Sequence, residues 1–426
     1  MNNFIRDIEK KVYDAGLLPL EKQATLWTEI LTEKFDTVLP QIMKTSNMDM
    51  WLVICKENCE DPVFKTITTW DMPSARRVTI LGFYYDRVKN QVHKMILGSP
   101  SPEMLKLYVN VKEREEDVWD CLNRIINQYK PSSIGINKSS EFAYCDGITS
   151  TSYDILMQKL DDEYKKNIVS SEELCVKWLQ TVTPTELKTM KAMVDITHDI
   201  IKASFSRNII TPGKTTTTDI EWYMRNLITK LGFDFWFGPD VDLQRKGSSV
   251  TRMFDEVIME EDLLHCDIGI VCKFIQLHTD VQRIGYVINN EKQVPEGFNR
   301  LLHIGNEFQD IVSQCFKLGI SGNDVFENSI NIAKDRGIKA MLYTHPLGTF
   351  GHGAGPSIGM YDKQMPQPGK GEKLIENNTC YALELNIKAC LSHWDNQEIY
   401  AYLEEDIFFN ETVEYISGRQ TEVIAI

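Results

Sequence analysis

The chain has 426 residues, 42% hydrophobic and 25% charged, proportions that exclude disorder and fibrous repeats and leave room for two or three domains with cores that need no disulfides. Asp and Glu number 61 against 46 Lys and Arg, a formal net charge of −15. That acidity argues against a nucleic-acid partner or an anionic membrane surface, both of which need cationic stripes.

The opening MNNFIRDIEKKVYDAG alternates charged and apolar residues and lacks the apolar core of a secretory leader. No apolar run approaches the roughly 18–20 residues of a membrane span. Ten cysteines without a CxxC pair read as the reduced thiols of a cytoplasmic protein. Cys55 and Cys59, the nearest pair, have no matching His or Cys pair to complete a zinc knuckle. Helical spacing covers Asp36 to Met43, and Met50 to Cys55 reads as a compact apolar strand. Arg77 to Tyr85 and Gln91 to Leu97 read as strands joined by a polar turn, and Asp117 to Tyr129 as an amphipathic helix. This part holds one histidine, His93, of the chain's eight, and nothing in it suggests a reaction centre.

The segment TPTE, Thr183 to Glu186, has the residues of a helix start: a capping threonine, a proline at the first helical position and a glutamate to complete a capping box. A domain boundary is placed here, giving residues 1–182 and 183–426. Thr218 and Glu221 are expected to form a second capping box, with Gly232 ending that helix. Strands are expected at Leu263 to Val271 and Ile275 to Val287, then helices from Pro295 to Gly319 and Asn323 to Gly337. Strands return at Ala340 to Thr344, Tyr381 to Lys388 and Ile399 to Phe409. Helix, helix, strands thus occurs twice, which predicts duplicated α-α-β-β halves in one domain with a cleft where they meet.

Four acids lie inside these strands: Asp267, Asp280, Glu384 and Glu404. An ionised carboxylate in a strand interior is costly unless a cation or dense hydrogen bonding compensates it. Asp267 and Asp280 have an odd separation, so a hairpin turning midway makes them direct cross-strand neighbours on one face. THPLGTFGHGAGP supplies His345 and His352 among glycines that allow close backbone approach. His265 and His278 flank the aspartates and are read as structural. Oxygen-rich ligands with one imidazole suit Mn, Fe, Co or Zn. Four carboxylates balance two divalent ions, an arrangement suited to hydrolysis.

The ordered set D-I-G, H-T-D, H-P-L-G, A-L-E-L-N and L-E-E-D resembles the pita-bread metallopeptidases: aminopeptidase P, prolidase, methionine aminopeptidase and the metal-free creatinase. The resemblance runs from about Thr183 to the C-terminus, and the preceding half is similar to the smaller N-terminal domain of the proline-specific members and creatinase. It implies an α/β (α+β) fold with a C-terminal pita-bread domain behind a mixed α/β creatinase-like domain. By that resemblance Asp267, Asp280, His345, Glu384 and Glu404 are ligands of two divalent ions, most readily Mn. Glu384 also handles the proton of the attacking water, and His352 contacts substrate and stabilises the tetrahedral intermediate; GHGAG offers a second register in which His352 is the ligand. The implied activity is a cytoplasmic, homodimeric exopeptidase for short peptides, of Xaa-Pro type, whose N-terminal half walls the cleft. Two departures stand out. The aspartates are two positions further apart than usual, and the customary histidine upstream of the first aspartate is replaced by Ser249, Val250 and Thr251, with Gln244 or Arg245 as substitute contacts or as parts of an exposed turn. A creatinase-like hydrolase of a small non-peptide molecule and a catalytically silent peptide-binding homologue are the rival readings.

Overall fold

The computed structural model describes residues 2–289 and 293–426. They form two compact units, Ala24–Thr185 on one side and Met1–Gln23 with Glu186–Ile426 on the other.

The smaller unit is built on a six-stranded mixed sheet. Its strands lie in the order Val109–Asn110, Gln91–Leu97, Val78–Asp86, Met50–Lys56, Ile134–Ile136 and Ile168–Ser170. The apolar run MWLVICK is its central strand and is buried on both faces, which is why it reads as continuous hydrophobicity rather than alternation. The amphipathic helix Val118–Tyr129 starts where Asp117 accepts hydrogen bonds from the amides of Trp119 and Asp120. The helix expected over Asp36 to Met43 extends over Leu20–Thr45 and carries Pro40 within it. Its Phe35 ring stacks on Trp178, and Trp51 stacks on Phe83, forming an aromatic core.

The larger unit begins with helix α1 (Asn2–Asp14). The contact division differs here from a single cut at residue 182, and the reason is electrostatic and apolar at once. Lys11 pairs with Asp199, Glu9 pairs with Lys230 at 3.0 Å, and Ile8 and Val12 are fully buried.

Two long helices follow, α2 (Pro184–Ser204) and α3 (Thr217–Lys230), then strands β1 (Asp240–Gln244), β2 (Leu263–Ile268) and β3 (Val281–Tyr286). The pattern recurs as α4 (Glu296–Cys315), α5 (Gly322–Asp335), β4 (Lys339–Leu342), the short β5 (His345–Leu347), β6 (Thr379–Leu391) and β7 (Gln397–Asn410). Helices α3 and α5 start alike, with capping boxes of Thr216 with Asp219 and Ser321 with Asp324. The box expected from Thr218 and Glu221 does not form. The helix begins two residues earlier, so the Thr218 hydroxyl turns to Asp255, and Glu221 accepts from the Val241 amide.

The main sheet of the larger unit runs in the order β4-β6-β7-β3-β2-β1, with β5 pairing beside β6, and Asp234–Phe235 pairs separately with Ile270–Val271. The two halves therefore meet where β7 lies against β3. Alternation along β6 sends Leu383, Leu385 and Ile387 into the core that includes Phe298, Leu302 and Phe308 of α4, and Glu384 to the opposite face. On β7, Leu403 packs so closely under α4 that a Cβ at Gly305 would overlap it. Leu403→Ala is therefore expected to destabilise the protein by about 2–5 kcal/mol, read as a lower urea midpoint of the full chain. A loss below about 1 kcal/mol would show that this contact does not organise the core.

Candidate metal centre

The seam between the halves carries the acids, and strand pairing sets them in a row. Asp267 on β2 stands opposite Gln282 on β3, Gln282 opposite Glu404 on β7, and Glu404 opposite Glu384 on β6. A parallel row lies two residues away, where Ala382 pairs with both His345 and Asp406. Asp406 in turn accepts the amide of Asp280 through both carboxylate oxygens at 3.2 Å. The run Glu404-Glu405-Asp406 is sorted by strand alternation: Glu405 points the other way and forms a double ion pair with Arg283 at 2.8 and 2.9 Å.

The expected direct pairing of Asp267 with Asp280 is not found. The pairs Ile268–Val281 and Val271–His278 centre the turn on Phe274–Ile275, one position later than midway between the aspartates. Parity is kept, so both carboxylates share a face, but Gln282 takes the place opposite Asp267 and Asp280 lies diagonal to it.

The four acids and His345 singled out in the sequence nevertheless converge. Ligand atoms of Asp280, His345 and Glu404 lie within 4.8 Å of one another, and so do those of Asp267, Glu384 and Glu404. His345 Nε2 stands 3.5 Å from Asp280, 3.6 Å from Glu404 and 3.9 Å from Glu384. These separations are long for hydrogen bonds. They suit ligands sharing an ion, because groups about 2.1 Å from a common centre stand roughly 3.0–3.5 Å apart. Three further observations test the fit of a cation. Asp280 Oδ1, Glu404 Oε1 and His345 Nε2 are buried without a hydrogen-bond partner. The His345 Nδ1–H donates to the Pro346 carbonyl at 3.1 Å, so Nε2 is the nitrogen turned to the carboxylates, and loss of its proton to an incoming cation would leave its lone pair aimed at them. A third carboxylate, Glu384, also faces that nitrogen. The residues fit one divalent ion here.

The other three-acid group is already bonded. Gln282 Nε2 donates to Glu384 Oε1 at 2.8 Å, Glu404 Oε2 at 3.1 Å and Asp267 Oδ2 at 3.2 Å. Its Oε1 meets His265 Nε2 at 3.0 Å, and His265 Nδ1 meets Asp242 at 2.9 Å. Asp242 is held in turn by Arg252. His265, expected to be structural, lies on the same face as Asp267, and through Gln282 it reaches the acids.

His352 is exposed, with its ring edge-on to those of His345 at 4.7 Å and Trp236 at 5.1 Å. Between the two rings of HGAG and THPLG the chain passes so close to Trp236 that a Cβ at Gly351 would overlap its ring. His278, with a pKa pushed by burial to about 4, packs between Trp236 and Phe350. Ser249, Val250 and Thr251 are exposed. Gln244, which an exposed turn would have left in solvent, is buried in β1 and exchanges two hydrogen bonds with the Tyr400 backbone. Arg245 grips Asp262 with two hydrogen bonds. Both are structural pegs.

Burial, reinforced by neighbouring carboxylates, raises the pKa of Asp280 and Glu404 well above the usual range. Burial likewise lifts Asp267 to about 6 and, against the pull of His345, Glu384 to about 7. For His345 burial acts downward, but Glu404 and Glu384 outweigh it and raise the ring to about 9. Partial desolvation of the ring, together with the neighbouring His345, lowers His352 to about 4.

A family model for metallopeptidase family M24 matches residues 188–413, more than half of the chain, and the protein belongs to that family. The fold is shared with solved structures at low identity. An X-Pro aminopeptidase from Thermotoga maritima is 14% identical over 91% of this chain and 100% of its own, with a TM-score of 0.64. An Xaa-Pro dipeptidase from Bacillus anthracis is 16% identical over 95% and 100%, at 0.60. The N-terminal domain of the FACT complex subunit SPT16 from chickpea is 12% identical over 93% and 95%, at 0.52. The larger unit is thus a pita-bread domain. No curated protein matches the chain.

The raised pKa of Glu384 has a stability consequence. In the cation-free protein its carboxyl stabilises the fold while protonated, and this contribution is lost as pH climbs from its ordinary 4.5 through about 7. Chelator-treated Glu384→Gln is therefore expected to gain stability relative to the unsubstituted protein across pH 4.5–7, with a constant difference above. Urea unfolding of both proteins over that range reads it; a difference independent of pH contradicts the assignment.

Proposed function

We propose that this chain is a metal-dependent exopeptidase that releases the N-terminal residue of short peptides, with Xaa-Pro bonds as its substrate class. The observation that carries the reading is the Asp280–His345–Glu404 group, whose inward atoms are buried and unpartnered. These residues would hold a divalent ion, Mn foremost, with Co, Fe or Zn also suited to one imidazole among carboxylates. Such an ion supplies Lewis-acid polarisation of a carbonyl and an acidified water.

The chain's own groups do the rest. Glu384, with a pKa of about 7, can take up and return a proton at its carboxylate near neutral pH. His352 is neutral at that pH, and its N–H can donate to a carbonyl oxygen as negative charge grows on it. Asp406 fixes the backbone of Asp280, and Pro346 fixes the ring of His345. In this reading the pita-bread unit is catalytic, Ala24–Thr185 is the creatinase-like N-terminal domain, and the protein is a cytoplasmic homodimer.

A silent peptide-holding homologue is favoured by one feature, the exposed Ser249-Val250-Thr251 stretch with no substrate-facing histidine. Turnover separates the two readings. Mn-loaded protein is expected to hydrolyse members of a panel of Xaa-Pro dipeptides and tripeptides, and Asp280→Ala to remove the activity. His352→Ala should lower kcat by about 10²–10³-fold, as loss of an oxyanion donor does, with a smaller change in KM. Bound Mn without hydrolysis of any panel member would select the silent reading.

A further inference from the structure

We propose that the side-chain amide of Gln282 fills the Asp267–Glu384–Glu404 half of the site, so that this chain holds a single divalent cation, at Asp280, His345 and Glu404. The inference rests on the metallopeptidase reading in taking that second triad as a cation site, and adds the number of ions and the residue that sets it.

Geometry makes the case. Gln282 is the cross-strand partner of Asp267 on one side and of Glu404 on the other, so its side chain rises between them. Nε2 then lies 2.8–3.2 Å from one oxygen of each of three carboxylates, central to all three. An ion bound by these oxygens would sit roughly 2.0–2.2 Å from each, in contact with the amide nitrogen and facing its hydrogens. Nitrogen and ion exclude one another.

The amide is also held in that orientation. Its NH₂ end faces the carboxylates and its oxygen is engaged by His265, whose imidazolium form, favoured by Asp242, donates from both nitrogens. His265 is anchored by Asp242, and Asp242 by Arg252 through Nε at 2.8 Å and Nη2 at 2.7 Å. Gln282, His265 and Asp242 are all buried, so reversal of the amide would break a hydrogen bond where no water stands ready to replace it. The two triads differ accordingly. All three members of Asp280–His345–Glu404 have a buried unpartnered atom; in the second triad Asp267 keeps one as well, at Oδ1, but Glu384 has none, and Asp267 Oδ2 and Glu404 Oε2 both accept from Gln282.

The test is Mn²⁺ binding to the full-length protein after chelator treatment, by calorimetry and elemental analysis, with paramagnetic resonance to distinguish isolated from exchange-coupled ions. The native chain is expected to bind one equivalent with the spectrum of an isolated ion. Gln282→Ala and Gln282→Thr should each bind two equivalents with a coupled spectrum; the threonine keeps a strand-favouring side chain should the alanine form fail to fold. Two equivalents in the native chain, or one in a folded variant, would overturn the role of Gln282 and leave the metallopeptidase reading standing. No binding by the native chain would overturn that reading as well.

Discussion

The structure turns on carboxylates brought together where water cannot solvate them. Asp280 and Glu404 are all but inaccessible, and Asp267 and Glu384 stand beside them on adjoining strands. In a low-dielectric setting such a group either binds protons, pairs with a cation or is tied up by donors. All three responses are visible: raised pKa values, an imidazole facing its acids, and an amide spread over three oxygens. The rest of the larger unit supplies the rigidity that keeps mutually repelling groups in place. Its seam joins strands of different halves, and apolar residues alternating with the acids on β6 and β7 anchor those two strands to α4.

That arrangement divides the acids into two environments separated by a single pleat. One has an unpartnered atom on every member; the other holds a neutral donor against one oxygen of each acid, relieving repulsion without adding charge and leaving only Asp267 Oδ1 and the shared Glu404 Oε1 unpartnered. Membership in the M24 family describes the frame common to both. The difference between them lies in one side chain and the buried polar series behind it, Arg252 to Asp242 to His265, which fixes how that side chain points.

Much of this was legible beforehand, and the reasons are physical. Acids within apolar runs, such as Glu384 in YALELNIKA, are conspicuous because burial of charge is costly, and the doubled order of helices and strands announced the two halves. Parity put Asp267 and Asp280 on one face. What parity cannot give is where a turn is centred: a shift of one position moved Asp280 off the pairing and set Gln282 in its place. Gln282 was nevertheless within reach of the same rule, since it lies two residues beyond Asp280, as His265 lies two before Asp267. They were passed over because an amide or a lone histidine in a strand raises no electrostatic alarm. The capping box failed for a related reason, because TTTTD offers several threonines and only packing selects Thr216. The placement of α1 with distant sequence rests on ion pairs that no local pattern encodes.

The bond from His345 to the carbonyl of Pro346 joins a side chain to the peptide unit next to it. Any residue at position 346 would present the same oxygen, so the proton's location on the ring is written into the course of the main chain rather than into a neighbouring side chain. Point mutation around the ring can therefore alter what it meets while leaving which nitrogen it offers unchanged.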